Sequence, residues 1–529
     1  MNKAAAYGKE QGMERWTNTP FALSRRQMVA AIPALAAASH TAAFAKGASL
    51  PGGIMDMSAV SLANAIRKKQ ISAREVMTAH LARVDALNPR FNAIVSRIDY
   101  ADAMKQAAEA DEAAAAGRFK GVLHGFPHAV KDTAAAKGIA FTQGTPLLKD
   151  NIPTADSLVV GRMRGAGAIF VGKTNVPEFA LGSHSYNPLF GTTCNAYDPR
   201  KSAGGSTGGG AVALALRMVP LADGSDFGGS LRNPAGWNNI FGFRPSWGRV
   251  PSIPSSDLFW QNFATSGPMA RSVADVALLM SVQAGPDPRA PFAHPDAGAT
   301  FAQPLDRDWR GKRIGWLGDL GGALPTEPGV LETCESALAA FRDVGMDVDE
   351  ARLTEDAEAM WRTAVTLRHW SVGSDLESYY DDPAKRRAIK PEAVWEVEGY
   401  RRLTGQQLAR ASEGRTRIFE AFRKAFETHD FLALPTAQVF PFDIEQHWPK
   451  EIAGVEMDTY HRWMEVTLPA TMAGLPVLAI PAGFGGTLGL PIGIQLIGPR
   501  NADLAVLQLG HAYEQASPWI SRSRPPALL

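Results

Sequence analysis

The chain has 529 residues, with 54 Lys and Arg against 53 Asp and Glu, so its formal net charge is +1. Apolar residues make up 45% and charged residues 20%, which excludes disorder for the bulk of the chain. Near-zero charge argues against nucleic-acid binding as its main business. Two cysteines, Cys194 and Cys334, exclude a disulfide framework, a Cys₄ zinc site and an iron–sulfur site. Each reads as a small buried hydrophobe.

Residues 1–23 are polar and irregular. Ser24-Arg25-Arg26-Gln27-Met28-Val29 then precedes an apolar stretch from Ala30 to Ala38, and Ala43-Phe44-Ala45 has the small-x-small form of a cleavage site. That order predicts a twin-arginine export signal over 1–45, ahead of one large domain over 46–529. The apolar run is shorter than the roughly 20 residues a spanning helix needs. No later segment has 18 consecutive apolar residues, so no stable membrane insertion is expected. The expected location is periplasmic or secreted, and cytoplasmic if 1–45 is not a signal.

Ser72-x-x-Glu75 is a capping box opening a helix whose periodic face carries Val76, His80, Leu81, Val84 and Leu87. Asn88-Pro89 is expected to stop it. An Ala-rich helix covers about 100–116, ended by Gly117. From about 122 short apolar runs alternate with helical stretches. Strands are expected at 128–130, 168–171, 313–316, 431–434, 477–480 and 492–496, and helices at 207–217, 271–284 and 328–343. The stretch 355–428 is helical, charged and aromatic, and is a candidate cap within the domain. The strands are mostly apolar throughout, as strands covered on both faces should be. The pattern predicts an α/β fold: a single large domain with a central mixed sheet covered by helices on both faces.

Three motifs mislead. Gly167 to Thr174 fits the phosphate-loop pattern G-x₄-G-K-T, but its middle is a strand-like apolar run and no helix can start at Lys173 with Pro177 so close. His124 and His128 have the spacing of a helical zinc pair, yet Gly125 and Pro127 between them break any helix. Gly204-Gly205-Ser206-Thr207-Gly208 fits the nucleophile elbow G-x-S-x-G, but the preceding residues are turn-forming where a buried strand is required. A Ser-His-Asp esterase using Ser206 would also need a late histidine such as His461 or His511. It stands as the alternative chemistry.

The glycines concentrate around two serines. Gly204-Gly205-Ser206-Thr207-Gly208-Gly209-Gly210 opens a helix, and Asp226-Phe227-Gly228-Gly229-Ser230-Leu231-Arg232 follows. Gly-rich turns let backbone amides approach a ligand and bind a developing oxyanion. A serine nucleophile needs a base. Lys131 ends the strand-like His128-Ala129-Val130, where burial would favour its neutral, proton-accepting form.

Together Gly125-Phe126-Pro127-His128-Ala129-Val130-Lys131-Asp132, the Gly204–Gly209 block and Asp226–Pro234 resemble the amidase signature family. Supporting pieces are the segments 172–179, 267–272, 474–483 and 491–498, so the resemblance spans about 57–516. It implies a Ser-Ser-Lys triad: Ser230 as nucleophile, Ser206 as bridging serine with a cis peptide bond to Gly205, and Lys131 as base. It further implies an oxyanion hole from the amides of Phe227, Gly228, Gly229 and Ser230, with Asp226 and Arg232 paired behind the loop. Thr207, Gly210 and Phe227 depart from the usual family residues. Phe227, where Thr is frequent, bears on pocket shape.

The implied activity is hydrolysis of a small-molecule amide, with no cofactor and no metal, and a homodimer is admitted. A hydrophobic or aryl acyl group is the expected substrate feature, with Tyr186, Phe259, Trp260 and Trp463 as pocket walls, joined by Trp361 and Trp370. An amidotransferase-type subunit of the same family is the alternative function.

Overall fold

The computed structural model describes residues 53–529. The export signal expected over 1–45 lies outside the described residues. The Ser72 capping box is present in both directions, and its helix spans Ala73–Phe91. Pro89 does not stop this helix. It stands in the last turn, where a single ladder bond is forgone, and the Asn88 side chain caps the end. Asn88 Oδ1 accepts the amides of Ala93 and Ile94 at 2.9 and 2.7 Å, and Nδ2 donates to the Ile94 carbonyl at 2.8 Å. The Ala-rich helix spans Tyr100–Ala115, and Gly117 follows it in the left-handed conformation. The helix expected over 328–343 is two abutting helices, Val330–Ala337 and Ala339–Asp343.

The main sheet has eight strands. Across it lie Asp347–Glu350, Arg313–Trp316, Phe431–Pro435, Leu490–Ile497, Val477–Gly485, Phe241–Arg244, Thr265–Ala270 and Ala222–Asp226. The first three are mutually parallel and the remaining pairings are antiparallel, so the sheet is mixed. Its central strands are buried along their whole length, which explains their unbroken apolar runs. Gln495 is the polar exception in the Leu490–Ile497 strand, and it marks a functional contact described below.

The strand Pro127–Lys131 lies outside this sheet. It pairs in parallel with Ile169–Thr174, which pairs in antiparallel with Ile94–Val95. A carboxylate helps to stitch the two sheets together. Asp223, in the edge strand Ala222–Asp226, accepts from His128 Nε2 at 2.8 Å and from the Lys131 amide at 3.2 and 3.3 Å. The stretch 355–428 forms the helices Ala357–Asp381, Pro383–Ala388, Pro391–Arg401 and Gly405–Ala425. Among the described residues no helix is long and apolar enough to cross a membrane.

The helix Gly208–Ala215 is wholly buried, and its first turn lies flush on neighbouring backbone. Gly209 donates its amide to the Asn175 carbonyl at 3.2 Å. A Cβ at 209 would overlap the Asn175 backbone nitrogen and stand 2.6 Å from the Ala93 carbonyl oxygen. Backbone cannot yield as a flexible side chain does. Gly209→Ala is therefore expected to cost about 1–3 kcal/mol through overpacking. Gly165→Ala, where a Cβ meets nothing within 4 Å, should be tolerated. Urea denaturation of the two variants checks the contrast.

Candidate active site

Lys131 ends its strand fully buried, with its Nζ 2.8 Å from Ser206 Oγ. The same nitrogen donates to the Ser225 carbonyl and lies against Ser225 Oγ, each at 3.1 Å. Burial lowers the Lys131 pKa to about 7, against the opposing pull of Asp226 and Asp223. Neither aspartate makes an ion pair with the amine.

Ser206 lies in the turn between the Cys194–Ser202 bridge and the Gly208–Ala215 helix. The Gly205–Ser206 peptide bond is cis, and Gly204 has a φ of 76°, which favours glycine there. Ser185 anchors this turn, since its amide and hydroxyl donate to the Gly204 carbonyl at 3.1 and 2.9 Å. Asn233 Oδ1 accepts the Gly205 amide at 3.3 Å. The Thr207 amide donates to the Ser230 carbonyl at 3.3 Å, tying the two serine loops together.

Ser230 follows the edge strand Ala222–Asp226 through a tight turn in which Gly229 has a φ of 96°. Its hydroxyl makes no hydrogen bond among the described residues. The Asp226 carboxylate holds the turn from inside. It accepts the Gly229 and Leu231 amides at 3.1 and 3.0 Å and a bidentate Arg232 at 2.7 and 3.0 Å. Arg244 Nη1 donates to the Asp226 backbone carbonyl and lies 3.3 Å from its Oδ1. Burial alone would raise the Asp226 pKa. Arg232 and Arg244 override it and hold the carboxyl well below the usual carboxylate range. Arg232 also donates to the Thr467 carbonyl, Gln495 Oε1 and Thr471 Oγ1 at 2.6, 2.7 and 2.7 Å. Arg244 and Thr471 have no local motif around them, and Gln495 lies in the supporting segment 491–498 without a role assigned to it. Gln495 had one signal, as a polar residue inside an apolar buried strand.

The amides of Phe227, Gly228 and Ser230 find no acceptor among the described residues. The Gly229 amide, the fourth of the expected donors, bonds Asp226 Oδ1 at 3.1 Å.

The expected aromatic walls fare unevenly. Trp463 is fully buried and stacks on Trp237 at 5.7 Å, so it belongs to the core and lines no site. Its neighbours Met464 and Leu468 stand beside Gly228 instead. Trp361 is buried against His461. Phe259 and Trp260 are 62% and 69% exposed, too open for pocket walls, though Trp260 meets Trp370 edge to face. Tyr186 is half-buried and stacks on His447 at 4.7 Å.

The misleading motifs resolve on geometry. Lys173 lies within the strand Ile169–Thr174, buried beside Asp132 at 3.7 Å, with no helix beginning there. His124 bonds the Ala110 carbonyl while His128 bonds Asp223. No group of three or more His, Cys, Asp or Glu set to hold a metal occurs among the described residues. His461 is buried against Tyr460 and Trp361, with burial lowering its pKa to about 3. His511 lies beside Asp306 and Glu514. Neither histidine bonds Ser206.

A profile of the Amidase family matches residues 75–507. The acylamidase of Rhodococcus erythropolis is 33% identical over 476 residues, covering 89% of this chain and 98% of that protein. A glutamyl-tRNA(Gln) amidotransferase subunit from a Synechococcus strain is 32% identical over 498 residues, covering 90% of this chain and 99% of that protein. The crystal structure of a bacterial aryl acylamidase of the amidase signature family superposes with a TM-score of 0.83 at 30% identity, covering 89% of this chain and 98% of the other. A matching profile, end-to-end relatives and a shared fold agree: the chain belongs to the amidase signature family of C–N hydrolases.

Proposed function

We propose that the protein hydrolyses linear carboxylic amides through an acyl-enzyme on Ser230, with Ser206 as the proton bridge and Lys131 as the base. The observation that carries this reading is the desolvated Lys131 amine 2.8 Å from Ser206 Oγ, in a turn tied to the Ser230 loop. Neutral Lys131 accepts the Ser206 proton as Ser206 accepts that of Ser230. Ser230 Oγ bonds to the amide carbon, and the carbonyl pair moves onto oxygen. The unengaged amides of Phe227, Gly228 and Ser230 are the donors suited to that oxyanion, each supplying about 3–4 kcal/mol in comparable sites. Collapse expels the amine, which takes a proton back through Ser206. Water then repeats the sequence on the ester and releases the carboxylate.

Met464 and Leu468 beside Gly228 give the surroundings an apolar character that supports an apolar or aryl substituent on the substrate. The acylamidase relatives point the same way. The amidotransferase likeness keeps ammonia transfer to a partner as a second reading, and a single purified chain that turns over anilides without a partner excludes it. For residues 1–45 we propose twin-arginine export. Replacing Arg25 and Arg26 together by Lys should then retain the protein in the cytoplasm on cell fractionation.

On a panel of anilides and acetamide, the wild type is expected to favour the anilides. Ser230→Ala and Lys131→Met should each lose at least about 10⁴-fold in kcat. A fully active Ser230→Ala would defeat the assignment, and equal rates on acetamide and anilides would remove the aryl preference.

The pH dependence has a fixed sign. Protonated Lys131 cannot accept a proton, and burial places its pKa at about 7. The profile of kcat/KM should therefore rise with pH, reach half its maximum near 7 and level off above. A flat profile from about pH 5 to 9 would take Lys131 out of the role.

A further inference from the structure

The helical stretch 357–425 reaches the oxyanion loop through one stack of side chains. Phe227, between Asp226 and the Gly228 turn, packs parallel to Phe263 with ring centroids 5.4 Å apart and planes at 15°. The Arg368 guanidinium lies 5.1 Å from the Phe227 centroid, and the Arg415 guanidinium lies 4.6 Å from that of Phe263. The order is cation, ring, ring, cation. Each contact is of a kind that strengthens when desolvated.

Both ends are fixed. Arg368 is buried, and its Nε and Nη2 donate to Glu396 Oε1 at 2.7 Å and Tyr460 Oη at 2.7 Å. Glu396 in turn accepts the Tyr460 hydroxyl at 2.5 Å and lies 3.0 Å from His369 Nδ1. Arg415 donates to the Met472 carbonyl at 2.8 Å and to the Asn262 side chain. The stack also closes on the loop from behind, since the Phe263 carbonyl accepts Arg244 Nη2 at 2.8 Å and Arg244 holds Asp226.

Such an arrangement exceeds what filling a core requires. A buried arginine is costly, and an aliphatic residue would pack on Phe227 without that cost. What an aliphatic residue could not do is restrict the ring to one orientation from a rigid, hydrogen-bonded plane. Phe227 carries one of the unengaged amides and precedes another, that of Gly228, so fixing its ring restricts those two N–H groups.

We propose that Arg368 is a positioning residue for amide hydrolysis, acting through the Arg368–Phe227–Phe263–Arg415 stack to hold the Phe227 and Gly228 amides toward the reacting carbonyl oxygen. This rests on the proposed acyl-enzyme reading. It assigns to the helical stretch a share in transition-state stabilisation beyond covering the sheet.

The test is a mutant cycle on purified full-length enzyme with an anilide substrate. Arg368→Met is expected to lower kcat about 10- to 100-fold while KM changes less than about threefold. Arg368→Lys, which keeps a cation over the ring, should recover part of the loss. Phe227→Leu should reproduce the defect, and in that background Arg368→Met should add little, because the ring it orients is gone. Arg368→Met leaves the buried Glu396 without its arginine, at a cost in stability, so Arg415→Met supplies the second arm. Arg415 is half-buried and does not touch Phe227, and its replacement should lower kcat in the same direction by a smaller factor.

A folded Arg368→Met with wild-type kcat overturns the proposal. So does an equal loss with and without Phe227, or a loss seen entirely in KM. Ser230→Ala separates the two readings: if it is inactive while Arg368→Met is fully active, only the positioning role fails. If Ser230→Ala is active, the acyl-enzyme reading fails with it.

Discussion

The Asp226 carboxylate is the constraint on which the site depends. A buried carboxylate must be compensated, and here two arginines and two backbone amides do so. The arrangement serves geometry first. Asp226 takes up the Gly229 and Leu231 amides, while those of Phe227, Gly228 and Ser230 stay without an acceptor among the described residues. It also serves charge. An uncompensated Asp226 so near Lys131 would stabilise the ammonium. Arg232 and Arg244 occupy the Asp226 carboxylate, and at the amine desolvation outweighs the remaining pull of Asp226 and Asp223. Removing either arginine would leave the buried Asp226 carboxylate under-compensated and disturb the loop it holds.

The same economy appears at Asp223. Its carboxylate is occupied by His128 and by the Lys131 backbone amide, so it fixes the position of the lysine main chain without pairing with the side-chain amine. The backbone of Lys131 is held by an anion while its Nζ meets only hydroxyl and carbonyl oxygens. Charge and position are thus controlled by separate contacts.

Much of this was legible in the sequence, where residue type and local context carried the information. The Gly-rich turns around Ser206 and Ser230, the Ser72 capping box and the apolar strands of a mixed sheet are local patterns, and the family resemblance rests on them. Contacts between distant segments were not legible. Nothing near Trp463 announces that its ring stacks on Trp237, and an aromatic in a short helical turn serves core or pocket equally well. Pro89 reads as a stop because the sequence does not show Asn88 folding back to cap the final turn. The partner of the Gly229 amide is not legible either, because backbone direction in a glycine turn depends on what holds the turn, here Asp226. The place of Phe227 between Phe263 and Arg368 was invisible for the same reason, although the residue stood out as a departure from the family pattern.

Lys131 and Ser230 belong to different sheets. The lysine ends a strand of the three-stranded sheet, and the serine follows the edge strand of the eight-stranded one. The distance that matters is thus set across a seam rather than within a ladder. Each sheet could keep all its own hydrogen bonds while sliding by a fraction of an ångström against the other, and the amine would then lose its contacts with Ser225 in the edge strand. Loss of competence need not wait for loss of structure. In a molecule built this way, a disturbance confined to the Asp223 seam would be felt as silence of the enzyme, with both sheets still standing.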